Sequence, residues 1–356
     1  MNKNIDQLIE DSKSLLAQLI EIPSFSREEE QTADCISSFL IERGISNNQV
    51  GNNVIAYNTH FDPSKPTILL NSHHDTVKPN PGYTKDPFKA IIEDNKLYGL
   101  GSNDAGGCLV SLIATFLYYF NDENLAYNIC LIASAEEEVS GKNGIEGAYK
   151  HVHPCDFAIV GEPTLLDLAV AEKGLMVLDC TAQGESGHAA REEGVNAIYK
   201  AIEDINWFNT YKFPKESEFL GPVKMSVTVI NAGSQHNVVP AECNFVVDVR
   251  TTDVYSNIEV LDIIQTHVKS DVKARSTRLN PSTIPVEHPI VQAGLSMGKK
   301  MYGSPTMSDQ ALLPIPSIKV GPGDSARSHT ADEFIYLKEI EEGIKFYIEL
   351  LGKVLK

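Results

Sequence analysis

Basic side chains are scarce in this chain. Thirty Lys and Arg stand against 48 Asp and Glu, a net charge of −18. A nucleic-acid binder needs a basic face, so that class is excluded. An anionic membrane surface offers no attraction either. Also missing is any run of about 18 apolar residues, so no membrane-spanning helix is expected. The opening segment MNKNIDQLIEDSK is too polar for a secretory signal. Six cysteines are scattered without a C-x-x-C pair, several of them in apolar runs. They read as buried free thiols of a cytoplasmic protein. Neither a repeat nor a low-complexity tract occurs. What remains is an ordinary soluble composition, 42% hydrophobic and 22% charged, over 356 residues. That length suggests two domains.

Hydrophobic periodicity divides the chain. Helices are expected at 4–21 and at about 27–43, the second opened by a capping box of Ser26 and Glu29. Strands follow at 54–57, 67–71 and 96–98, then a helix at 107–120 and strands at 127–134 and 157–160. Alternating strands and helices indicate an α/β layered domain with a central mixed sheet flanked by helices. The middle reads differently. A strand at 174–182, a helix at about 189–208 and strands at 223–231 and 242–250 come first. A helix at 256–269 and a strand at about 271–279 complete them. This β-α-β-β-α-β order is the ferredoxin-like split pattern. Ile198, Ile202, Ile205 and Phe208 are expected to form the buried face of its first helix. Beyond Pro285 the chain returns to the first domain with a strand at 317–320 and a helix at about 332–352. The expected architecture is a discontinuous domain, 1–172 and 282–356, with an inserted domain at 173–281.

Chemistry-bearing residues gather where strands end, which is where ligands collect in α/β sheets. After the apolar run Thr67–Leu70 come Asn71, Ser72, His73, His74 and Asp75. Strand alternation points His73 and Asp75 the same way, so Asp75 can orient the imidazole. A glycine-rich turn brackets Asp104. Glu136, Glu137 and Glu138 follow the strand NICLIAS. Glu162 lies in Gly161-Glu162-Pro163, and His329 in Ser328-His329-Thr330-Ala331-Asp332-Glu333. Each cluster alone is an ordinary turn or cap. Together, two histidines and three carboxylates suit a pair of metal ions. Imidazole with carboxylate favours Zn2+, with Co2+ or Mn2+ possible.

These motifs, H-x-D-x-V, G-x-G-x-x-D-x-x-G, E-E, G-E-P and H-x-x-D-E, occur in an order that resembles one family over essentially the whole chain. It is the zinc-dependent acylamino-acid deacylases and carboxypeptidases, and the tail with Gly321-Pro322-Gly323 before His329 is most similar to its acetylornithine deacetylases. The resemblance implies that His73 and Glu162 hold one zinc and Glu137 and His329 the other, with Asp104 bridging. It implies Glu136 as general base, Asp75 behind His73, and a cis peptide bond at Asp104–Ala105. It also implies that the insert is a lid and dimerisation domain. There His188 of Gly184-Glu185-Ser186-Gly187-His188 would serve the partner subunit's oxyanion, and Asn237 and Arg250 would touch substrate. Two positions depart from the family pattern. Leu100 stands where an Arg is common, and Gly106 where a Lys is common.

The implied activity is hydrolysis of a small-molecule N-acyl amino acid by a cytoplasmic homodimer. N-acetylornithine is favoured, with N-succinylornithine and N-acylcitrulline open. A succinyl-diaminopimelate desuccinylase is the alternative, a dipeptidase comes third, and a non-catalytic binding relative is the rival outside enzymes. A succinyl group would need an extra cation, for which Arg250, Arg327, Lys173 and Arg191 are candidates.

Overall fold

The computed structural model describes residues 4–356. The chain divides into two compact units. The first comprises residues up to Val170, Ile284–Tyr302 and Ser308–Lys356; the second comprises Ala171–Thr283 and Gly303–Met307.

In the first unit the strands are Asn47–Val50 (β1), Asn53–Tyr57 (β2), Thr67–His73 (β3), Ile91–Glu93 (β4), Lys96–Tyr98 (β5), Asn128–Ser134 (β6) and Phe157–Val160 (β7). Leu168–Glu172 (β8) leads out of it. The helices are Ile5–Ile20 (α1), Glu30–Ile41 (α2), Gly107–Tyr119 (α3) and Ile145–Ala148 (α4). The main sheet runs β1-β2-β6-β3-β7, then Ser317–Lys319 of the returning chain, then β8. β6, β3, β7 and the returning strand are mutually parallel, while β1, β2 and β8 are antiparallel to their neighbours. The sheet is therefore mixed, as expected. Its central strands are apolar throughout because both faces are covered. Leu69, Cys130, Ile132, Ala158 and Val160 pack with Ile145 and Ala148 of α4. The alternate residues Ile68, Leu70, Leu131 and Ile159 are buried as well, on the face where α3 packs.

The second unit holds Gly174–Gln183 (β9), Gly187–His188 (β10), Ala197–Thr210 (α5), Lys224–Ala232 (β11), Val238–Val239 (β12), Glu242–Thr251 (β13), Asn257–His267 (α6) and Asp271–Ala274 (β14). Four strands form an antiparallel sheet in the order β11-β13-β9-β14. Met176, Leu178, Cys180, Phe245, Val247 and Val249 pack against Ala201 and Phe208 of α5 and Val260 and Ile264 of α6. A capping box of Ser256 and Glu259 opens α6.

The remaining elements are Ser282–Thr283 (β15), Pro289–Ser296 (α7), Met301–Ser304 (β16), Ser317–Lys319 (β17), Phe334–Tyr336 (β18) and Leu337–Gly352 (α8). α3 packs against α1 and α8.

Several boundaries move for physical reasons. α5 starts at Ala197 rather than 189, because Gly187 and His188 pair with Val239 and Val238, and Asn196 then caps the helix. Its buried face is Ala197, Ala201, Asp204 and Phe208, while Ile202 faces solvent. α8 starts at Leu337 because 334–336 pair with β5. The expected capping box at Ser26 does not form. α2 begins at Glu30, and the side chains of Ser26 and Glu29 turn elsewhere. All six cysteines are free, and five are buried. Among the described residues, no helix is long and apolar enough to cross a membrane.

Candidate metal centre

The carboxyl ends of β3, β6 and β7 and the turn before α3 converge in the first unit. His73 closes β3 and is almost completely buried. Its Nδ1 donates to the Asp75 carbonyl at 3.0 Å and lies 3.5 Å from the Asp75 carboxylate. That fixes the ring and turns Nε2 toward Asp104 at 3.3 Å, Glu162 at 3.7 Å and Glu137 at 3.9 Å. Nε2 has no hydrogen-bond partner although it is buried. Asp104 reaches the other way to His329 Nε2 at 3.8 Å, and Glu138 meets the same nitrogen at 3.0 Å. Ligand atoms of His73, Asp104 and Glu138 lie within 4.8 Å of one another.

Electrostatics show what this cluster demands. Burial pushes Glu162 up to about 8, with Asp104 adding to the rise. Glu137 is raised well above the usual carboxylate range by burial, with Glu162, Asp309 and Glu138 adding repulsion. Burial disfavours the His73 cation, yet Glu137, Asp104, Asp75 and Glu162 hold its pKa well above the ordinary value. His329 is raised to about 9 by Glu138. Carboxylates packed this closely call for positive charge between them. An orphaned imidazole nitrogen aimed into such a ring fits a divalent cation.

Backbone geometry sets the register of the three glutamates. Glu136 sits at φ 55, ψ 22, the left-handed region that side chains with a Cβ rarely enter. The turn sends its carboxylate to Asn143, whose Nδ2 donates at 3.0 Å. Glu136, expected as general base, is thus tied to Asn143. Glu137 faces His73, and Glu138 takes the place beside His329 expected of Glu137. The Asp75 carboxylate accepts from Glu137 N at 3.0 Å and Glu138 N at 3.2 Å.

The turn carrying Asp104 is held from the far end of the chain. Buried Glu333 accepts from the N–H groups of Gly101, Asn103 and Asp104 at 3.1, 2.8 and 2.9 Å. The Asp104–Ala105 bond is cis. The Gly106 departure has a steric reason, since a Cβ there would collide with the Gly101 carbonyl and Leu16. Leu100 is buried. Sequence reasoning did not single out the holding role of Glu333, nor buried Asp309, which accepts from Ser134 Oγ. Glu333 closes the H-x-x-D-E motif, whereas Asp309 lies in no motif that marks it. His74 points away from the cluster, with Nε2 donating to the Asn52 carbonyl at 2.9 Å.

His188, Asn237 and Arg250 belong to the second unit. His188 is exposed in β10, and its Nδ1 accepts from Ala190 N at 3.1 Å. The Asn237 carbonyl accepts from Ala189 N at 3.0 Å. Arg250 is paired with Asp248 through two hydrogen bonds of 2.8 and 3.1 Å.

The sequence pattern of Peptidase family M20/M25/M40 matches residues 69–353. The chain belongs to that family. The acetylornithine deacetylase of Proteus mirabilis is 30% identical over 312 residues, 81% of this chain and 79% of the relative. The [LysW]-lysine/[LysW]-ornithine hydrolase of Sulfurisphaera tokodaii is 29% identical, covering 96% of this chain and 95% of its own. The fold is that of the Bacillus subtilis YxeP protein, a dinuclear metal-binding peptidase of the M20 family. The two superpose with a TM-score of 0.75 at 16% identity, over 98% of this chain and 99% of the other. Membership of the family makes this chain a metal-dependent hydrolase by descent.

Proposed function

We propose that the protein removes the acyl group from an N-acyl amino acid, with N-acetylornithine the preferred substrate. The observation that carries the reading is His73 Nε2, buried, unpartnered and ringed by Asp104, Glu137 and Glu162. His73, Asp104 and Glu162 would hold one ion; Asp104, Glu138 and His329 would hold the other. Zn2+ suits this donor set best, with Co2+ or Mn2+ as substitutes. When bound, such ions supply Lewis-acid polarisation of a carbonyl and a water that ionises near neutral pH.

The roles of the glutamates shift by one residue from the sequence expectation. Glu137 is the general base and acid, because its carboxylate faces the cluster without pairing to His329. It accepts the proton of the attacking water and returns it to the departing amine nitrogen. Asp75 keeps His73 in the tautomer that presents Nε2 inward.

Two features support an acetylated ornithine. Both relatives named above carry ornithine in their names. Of the four cations considered for a succinyl carboxylate, three are engaged: Arg327 is bound twice by Glu339 at 2.8 and 2.6 Å, Arg250 is paired with Asp248, and Arg191 stands beside Glu193, whereas Lys173 lies near Lys224 and Arg250. Breaking such pairs to bind a second carboxylate costs affinity.

The homodimer is part of the proposal. β11 is an edge strand, with Val229 and Ile230 47% and 51% exposed, and Tyr199 and Ile202 of α5 are 69% and 53% exposed. Apolar side chains on an unpaired edge suit pairing with a second copy. Within it, His188 would stabilise the partner subunit's oxyanion, and Asn237 and Arg250 would bind substrate.

A kinetic panel with added zinc tests the reading. N-acetylornithine should exceed N-succinylornithine, N-acetylcitrulline and N-succinyl-diaminopimelate in kcat/KM by about tenfold or more. Equal values for all four would overturn the substrate assignment. Hydrolysis that survives chelation would overturn the metal-dependent reading.

A further inference from the structure

Behind the loop of three glutamates lies a carboxylate that the proposed chemistry does not use. Glu29 is 0% exposed. Neutral N–H groups satisfy it: Arg27 N and Glu136 N donate to Oε1, the latter at 3.2 Å, and Asn52 Nδ2 donates to Oε2 at 2.8 Å. A buried charge is costly to keep, and hydrogen bonds to backbone N–H groups are the usual compensation. A helix-cap glutamate could have stayed in water, yet α2 begins without a side-chain cap.

The hydrogen bonds form a pattern along the loop. Three consecutive backbone N–H groups, those of Glu136, Glu137 and Glu138, each go to a buried carboxylate. Glu29 takes the first and Asp75 the other two. Successive N–H groups converging on anions make a nest that fixes the local backbone. Both anions are held by the same short segment, since Ser26 Oγ donates to Asp75 Oδ2 at 2.7 Å. Asn52 extends the contact, because its carbonyl accepts His74 Nε2–H beside the end of β3.

We propose that Glu29 is a positioning residue. Its carboxylate holds the left-handed turn at Glu136 and thereby sets where Glu137 and Glu138 stand. This rests on the roles given above to Glu137 and Glu138.

The test is a reciprocal exchange. Glu29→Gln keeps the shape but removes the charge, and sets its NH2 against Glu136 N or against the Asn52 side chain, whose amide must then turn over to accept it. Its kcat should fall about 10–100-fold with KM nearly unchanged. Binding of Co2+, followed by visible absorption without substrate, should weaken by a similar factor at one of two ions. Glu29→Gln combined with Asn52→Asp restores a donor facing an acceptor and should recover most of both losses. Asn52→Ala, which leaves its carbonyl on His74, should shift both readouts the same way by less, and it serves if Glu29→Gln does not fold. Wild-type kcat and Co2+ affinity in Glu29→Gln would overturn the proposal. So would an exchange that recovers thermal stability without recovering Co2+ binding. Should the natural protein hydrolyse none of the acyl amino acids, the Co2+ titration still decides the positioning role separately from the substrate.

Discussion

The two units differ in where their carboxylates gather. The first unit draws carboxylates inward: Glu29, Asp75, Glu136, Asp309 and Glu333 are all buried, and Asp104, Glu137 and Glu162 face His73. The second buries Glu172 and Asp204 away from any such cluster, keeps other acids in exposed pairs such as Arg275 with Asp179 and Lys269 with Glu203, and leaves Val229 and Ile230 exposed on the edge strand β11. Carboxylates crowded around an unpartnered imidazole nitrogen point to a bound cation. Exposed apolar side chains on an edge strand point to another protein surface. Under the proposed function a cation would complete the first feature and a second copy of the chain the other.

The sharpest way to break this contrast is to remove the cation. Chelation should abolish hydrolysis, and added zinc should restore it; activity that persists without metal would mean the buried acids serve only structure. Next in size, Glu137→Ala should lower kcat by roughly 10²–10⁴ while metal content stays near normal. Glu136→Ala should cost far less, and the reverse ranking would return the base to Glu136. Proton competition gives a third handle. Glu162 is raised to about 8 and His73 is raised as well, so at low pH protons occupy groups that a cation must displace. Metal affinity should therefore rise with pH, on the order of tenfold or more from pH 6 to 8. Calorimetry in two buffers would show the released protons. The smallest effect on the first unit should come from the second. Ile230→Lys on β11 should shift the sedimentation profile from dimer to monomer while leaving the Co2+ titration unchanged. A change in metal affinity there would erase the division of labour.

Much of this was legible in the sequence because strand ends announce themselves. Apolar runs halted by His73, Glu137 and Glu162 place acids at the rim of a sheet without any knowledge of packing. What was not legible depended on backbone conformation or distant partners. Three identical glutamates in a row carry no sign of which faces inward; the left-handed turn at Glu136 decides, and remote carboxylates hold it. The pattern of Ser26 and Glu29 is a sound local cap, but Asp75 and Glu136 compete for the same side chains and win. α5 starts later than its periodicity implies for a similar reason, since Gly187 and His188 find strand partners in Val239 and Val238. Ile202 fits a helical stripe yet stays outside, because periodicity alone does not say whether a stripe is covered by its own chain.

The reach of the Glu333 contact has a consequence for how the molecule is made. His73, Asp104 and Glu162 leave the ribosome early, whereas His329 and Glu333 follow only after the whole second unit has been synthesised. A nascent chain can therefore gather the donors for one ion long before the second set is complete. Until Glu333 arrives, the turn bearing Asp104 lacks the carboxylate that takes three of its backbone N–H groups. The two proposed ion sites would thus be completed at different times during synthesis, and Asp104 acquires its support last.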